Sequence, residues 1–132
     1  MTPLPTYGLT HLAIATPDVD RAFEFYKIVF GMVAVFRQSE FLQAQTPGAR
    51  DVLVFERSAT ATGDSRDIAH FGFRLKAPRD IATAATLVEA AGGTVVEQGE
   101  FVPGEPYVFA RDRDGYLIEI WYELPTTQDP AD

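Results

Sequence analysis

The chain has 132 residues, 11 basic and 19 acidic side chains for a formal net charge of −8, two histidines and no cysteine. Its 46% hydrophobic and 23% charged composition is that of a folded globular chain, and its apolar runs fall far below the ~18 residues of a membrane span. Lack of cysteine excludes disulfides and thiolate metal sites, and the acidic balance argues against a nucleic-acid binder, which needs basic patches for phosphates.

Residues 1–7 carry two prolines and read as an unstructured lead-in. Residues 9–16 (LTHLAIAT) alternate as a strand. Thr16-Pro17-Asp18 stops it, and Asp18 or Asp20 can cap a helix start. From 19 to 30, apolar Val19, Ala22, Phe23, Tyr26 and Phe30 recur at helical spacing, and Gly31 ends the helix. Strands are expected over 32–37, 40–45 and 52–57, with Thr46-Pro47-Gly48 as a turn. Residues 58–67 (SATATGDSRD) are small and polar, a linker.

The order then repeats. A strand over 68–75, a corner at Pro78-Arg79-Asp80 and a helix over 81–91 stopped by Gly92-Gly93 lead to strands over 94–98, 107–111 and 116–123. Asp112-Arg113-Asp114-Gly115 forms the last tight turn; it is acidic but lacks the ligand spacing of a calcium loop. The tail beyond Leu124 is polar and expected to fray. Pro17 and Pro78 are 61 residues apart, as are Gly31 and Gly92, so the chain reads as one strand–helix–three-strand unit written twice. The expected organisation is a first module over 8–57, the linker 58–67, a second module over 68–124 and a tail over 125–132.

His11 and His70 each stand third in the opening strand of their module. Each has a small neighbour two residues on, Ala13 or Gly72, which leaves space on that strand face. Glu119 lies between Ile118 and Ile120, where an uncompensated carboxylate is costly and calls for a partner or a metal. Two imidazoles and a carboxylate suit a divalent ion with open positions: iron, manganese, nickel, cobalt or zinc. The bland alternatives are hydrogen-bonded strand histidines and a glutamate at a sheet rim. Aligning 117–120 on 52–55 sets Val54 at the position of Glu119, where no ligand is possible. Glu56 shares that face and can approach if a bulge or register slip intervenes; otherwise it is a solvated strand end. Arg74 shares the face of His70 and either holds a substrate carboxylate or sits at the surface. Tyr107, Phe109 and Trp121 are candidate lining residues, with Tyr107 a proton donor, against the alternative of ordinary packing.

GLTHLAIATPDVDRAFEFYKIVFGM, AHFGFRL and DRDGYLIEIWYE resemble the vicinal oxygen chelate superfamily over about residues 8–124. Glyoxalase I, extradiol dioxygenases, methylmalonyl-CoA epimerase, fosfomycin-resistance enzymes and bleomycin-resistance proteins belong to it. The resemblance implies an α+β fold of two tandem βαβββ modules forming a curved, cleft-bearing mixed sheet. It places His11, His70 and Glu119 at metal-ligand positions, in a homodimer whose shared sites take the two histidines from different chains. The implied function is a divalent-metal-dependent enzyme chelating neighbouring oxygens of a small substrate, as a lyase, isomerase or dioxygenase. The other class it offers is a metal-free, bleomycin-resistance-like protein that sequesters cationic drugs. Departures separate the chain from single members. Glyoxalase I has a second glutamate where Val54 stands, extradiol dioxygenases use a further histidine, and the fosfomycin thiol transferases' basic, serine-containing anion loop is unmatched by Gly104-Glu105-Pro106-Tyr107. With no signal or anchor pattern, the expected location is cytoplasmic.

Overall fold

The structure is a computed structural model and describes residues 1–131; Asp132, the end of the expected tail, lies outside the described residues. Two compact units divide at Gly63, the first spanning Met1–Gly63 and the second running from Asp64.

In the first unit, β1 (His11–Thr16), α1 (Val19–Phe30), β2 (Val33–Gln38), β3 (Phe41–Gln45) and β4 (Val52–Arg57) follow one another. They form a mixed sheet ordered β1-β4-β3-β2, with β1 parallel to β4 and the other pairs antiparallel. Asp18 caps α1 by accepting the Arg21 N–H at 3.1 Å. Gly31 ends it at φ 69°, its N–H bonding the Lys27 carbonyl at 3.0 Å. Ala22, Phe23, Phe25 and Tyr26 of α1 are buried, and the helix packs on β3 and β4 over Leu42, Ala44, Leu53 and Phe55.

In the second unit, β5 (Phe71–Arg74), a single 3-10 turn at Pro78–Asp80, α2 (Ile81–Ala90), β6 (Thr94–Glu100), β7 (Pro106–Arg111) and β8 (Leu117–Trp121) repeat the order. The sheet reads β5-β8-β7-β6, again with one parallel pair. Val88 and Ala84 of α2 meet a sheet face built from Val108, Ala110, Ile118 and Ile120. The Asp112 carboxylate accepts the N–H groups of Asp114, Gly115 and Tyr116, each at 2.9 Å, and Gly115 sits at φ 104°. This is the hairpin turn expected at 112–115.

Both units are thus βαβββ, and the fold is the expected α+β tandem of βαβββ modules, with one four-stranded mixed sheet in each. A detail invisible to residue patterns confirms the duplication. The β2–β3 ladder shifts register between Ala34 and Phe36, and the β6–β7 ladder between Val95 and Glu97, 61 residues later in each case. The same bulge is written twice.

The strand starts differ from expectation. β1 begins at His11, because its partner β4 begins at Val52, directly after Asp51 closes a turn on the Thr46 N–H at 2.8 Å. His70 immediately precedes β5, whose pairing opens at Phe71 opposite Ile118. Neither histidine is the third residue of its strand; both stand at its N-terminal edge, in matching places.

Candidate functional site

Strand alternation gives the second sheet a face turned away from α2. Across it, Gly72, Glu119, Phe109 and Glu97 stand in one row, with Trp121, Tyr107 and Gly99 in the next. Ile118 and Ile120, both fully buried, point the other way and fix Glu119 on this face. Here the expected partner is found: His70 Nε2 lies 3.0 Å from Glu119 Oε1. Glu119 is 14% exposed and His70 36%, so the pair is half-buried and reachable. Phe109 supports it, its ring meeting the His70 ring edge-on at 5.1 Å.

One nitrogen and one oxygen at this separation fit a divalent ion, since bonds of about 2.0–2.2 Å from each would span it. The same 3.0 Å also fits a direct hydrogen bond from Nε2–H to the carboxylate. The third residue of the expected set, His11, is exposed at the start of β1 in the first unit. Among the described residues, no group of three or more His, Asp or Glu side chains forms a site that could hold an ion.

The aromatic candidates are organised, not merely packed. Tyr107 Oη donates to Glu97 Oε1 at 3.2 Å. Loss of solvent contact, and then the Glu97 charge and hydrogen bond, push the phenol above its ordinary pKa of 10.0 and hold it protonated. Phe101 stacks on Tyr107 at 4.2 Å, and Tyr107 meets Phe109 edge-on at 5.5 Å. A run of rings therefore leads from Phe101 through Tyr107 and Phe109 to His70. Glu97 itself was not singled out in the sequence. The bulge ending at Glu97 brings it opposite Phe109, and only pairing geometry reveals that.

Two expectations, open space beside Gly72 and a frayed tail, differ in the structure. The space beside His70 at Gly72 is not empty: a Cβ there would stand 2.8 Å from Trp121 Cζ3 and 2.8 Å from the Glu119 carbonyl oxygen. Trp121 lies across Gly72, and the glycine is what admits it. Gly72→Ala is accordingly expected to cost about 1–3 kcal/mol through overpacking, read as a lowered urea midpoint; an unchanged midpoint would contradict this packing. Arg74 does not present an open fork, because the Asp129 carboxylate occupies it. The tail, expected to fray, is held through that contact.

In the first unit, Glu56 is exposed opposite Ala15 and Phe41, while Val54, buried, stands opposite Ala13 and Gln43. β4 pairs with β1 without a register break from Val52 to Arg57, so no bulge carries Glu56 back to the Val54 position. It stays two residues, about 6.6 Å, further along the strand. The polar residue that does stand beside Val54 on that face is Gln43, half-buried on β3. The alternation in FLQAQ held the only sequence signal for it.

A doubled βαβββ unit with an imidazole–carboxylate pair on its sheet face defines a glyoxalase-type fold. The chain belongs to the Glyoxalase/Bleomycin resistance protein/Dioxygenase superfamily, whose model matches residues 8–120. It is 31% identical over 125 residues to the uncharacterised protein PA2024 of Pseudomonas aeruginosa, covering 89% of each chain. It is 27% identical over 124 residues to a manganese-dependent 2,3-dihydroxybiphenyl 1,2-dioxygenase of Geobacillus genomosp. 3, covering 91% of this chain and 38% of that protein. Among solved structures, a glyoxalase-related enzyme from Fulvimarina pelagi superposes with a TM-score of 0.75 at 20% identity, covering 96% of each chain. None of the helices among the described residues is long and apolar enough to cross a membrane.

Proposed function

We propose that the chain is a divalent-metal-dependent enzyme of this superfamily, acting as a cytoplasmic homodimer on a small substrate with two neighbouring oxygens. The observation that carries this is the His70–Glu119 pair, 3.0 Å apart and half-buried on the sheet face. His70 and Glu119 hold the ion, and His11 of a second copy of the chain completes the set. A bound ion supplies Lewis-acid charge for the substrate oxygens. Phe109 fixes the His70 ring, and the row of Trp121 and Tyr107 gives a planar substrate an apolar wall. Tyr107 is the proton donor at its Oη; Glu97, which accepts that hydroxyl in the resting site, keeps it in the phenol form, and water returns the proton after it is given up. Lyase, isomerase and ring-opening dioxygenase chemistry all fit this arrangement.

Purified without tag or chelator, the protein should carry a stoichiometric divalent ion. Stripping it should lower the melting temperature, and re-addition at ~100 times Kd should restore about 2.7 kcal/mol, a shift on the order of 10 °C. A panel of hemithioacetals, catechols, acyl-CoA thioesters and fosfomycin then sorts the reaction. A second reading rests on the carboxylates of Glu97 and Glu119 flanking the Phe109 ring, which is the chemistry of a site for cationic aromatic drugs. Tight bleomycin binding by metal-free protein, with no thermal shift on adding any divalent ion, would replace the enzyme reading with that one.

A further inference from the structure

Arg74 ends β5 on the face that carries Gly72 and stands opposite Trp121. It stands four positions after His70, about 13 Å along an extended chain. Its guanidinium makes a two-pronged contact with Asp129: Nη1 donates to Oδ1 at 2.9 Å and Nη2 to Oδ2 at 3.0 Å. Thr126 completes the grip, its N–H donating to Oδ2 at 3.0 Å and its hydroxyl to Oδ1 at 3.2 Å. These bonds, Arg74's first, hold the Asp129 carboxyl down to about 2. Nη2 also reaches the carbonyls of Glu123 and Leu124 at 3.3 and 3.4 Å. An open surface depression of about 330 Å³ adjoins; Arg74, Lys76, Tyr122 and Glu123 form the wall that stays when the tail leaves, and Pro125 and Asp129 form the wall that goes with it.

Two parallel bonds from a guanidinium to a carboxylate are how proteins seize a ligand acid. Here the acid comes from the chain itself, 55 residues away, on a segment beyond β8 that belongs to no helix or strand. We infer that Arg74 is the seat for a ligand carboxylate on this face, and that Asp129 is its resident competitor, exchanged for the ligand when the tail unlatches. Exchange replaces one carboxylate by another, while the Glu123 carboxylate stays 3.7 Å from Nη2 and any incoming acid must fit beside it. Lys76 adds a second cation at the wall of the depression and Tyr122 an apolar surface for the body of the acid. A tethered competitor acts at an effective concentration of order mM, so only an acid with further contacts displaces it readily. The inference needs no metal and stands apart from the His70–Glu119 reading.

Binding is read by isothermal titration calorimetry, because the ring of Trp121, the sole tryptophan, lies over Gly72 and does not line the depression. Full-length metal-free protein is titrated with benzoate and with inorganic phosphate. Asp129→Asn, which keeps shape and removes the charge, should bind benzoate about tenfold more tightly than the unmodified chain. Arg74→Gln should abolish benzoate binding. Saturating the unmodified chain with benzoate should speed amide hydrogen exchange over residues 124–130. Equal benzoate affinity with and without Asp129→Asn, binding that survives Arg74→Gln, or unchanged exchange in the tail would each overturn the inference. Phosphate binding more tightly than benzoate to Asp129→Asn would overturn the assignment to carboxylates.

Discussion

Glu119→Gln is expected to weaken divalent-metal affinity by more than about 100-fold, since even partners outside the ligand shell are worth 10–100-fold, and to remove metal-dependent activity with it. Glutamine keeps the volume of the side chain and an oxygen able to accept from His70 Nε2, which now lies 3.0 Å away. It removes the negative charge that a divalent ion requires. The buried neighbours Ile118 and Ile120, which hold the strand in place, are untouched. The metal-free variant should therefore melt close to the metal-free unmodified protein, while the thermal shift on adding metal disappears. Calorimetric metal titration together with melting curves checks both halves. If the pair is only a hydrogen bond, adding metal shifts the melting curve of neither protein, and the variant and the unmodified chain bind the ion equally weakly.

The amphipathic helix at Val19–Phe30 was legible to the residue, because Asp18, the apolar spacing and Gly31 are local signals for one start, one face and one stop. The order of elements along the chain was legible too, from a repeat of turn residues 61 positions apart. Strand edges were not. Where β1 and β5 begin depends on where β4 and β8 offer a partner, which is a property of pairing and not of the strand's own letters. The same holds for the site. Glu119 announced itself as a carboxylate among isoleucines, and the structure supplies its partner. Glu97 carries no such mark, being an exposed glutamate until a bulge turns it toward Tyr107. Asp129 was hidden for a different reason: a polar tail with two prolines reads as frayed, and its anchor lies 55 residues upstream. Gly72 was read as leaving space, which was correct about the backbone and wrong about the occupant. Only the folded sheet shows that Trp121 fills it.

Phe55→Ala is expected to destabilise the protein by about 3–5 kcal/mol, the cost of deleting a buried aromatic ring and leaving a cavity. Phe55 is fully buried on β4, an inner strand of the first sheet, where it stands opposite Ile14 on β1 and Leu42 on β3. Its ring meets Phe23 at 6.2 Å and Tyr26 at 5.5 Å, so it joins α1 to the sheet. Tyr26 is itself fully buried against Phe25 and Phe30 and has no path to collapse into the gap. A domain's net stability is about 5–15 kcal/mol, so this one ring is worth a large share of it. The same loosening extends to β1, whose register on β4 sets His11 opposite Val52. Val35→Ala makes the contrast: this residue is exposed at the β2 bulge, and its loss should stay within about 0.5 kcal/mol. Urea unfolding followed by circular dichroism should place the Phe55→Ala midpoint far below the unmodified chain and leave Val35→Ala beside it. Equal midpoints for the two variants would mean that α1 does not rest on Phe55, and that the first unit is held together elsewhere.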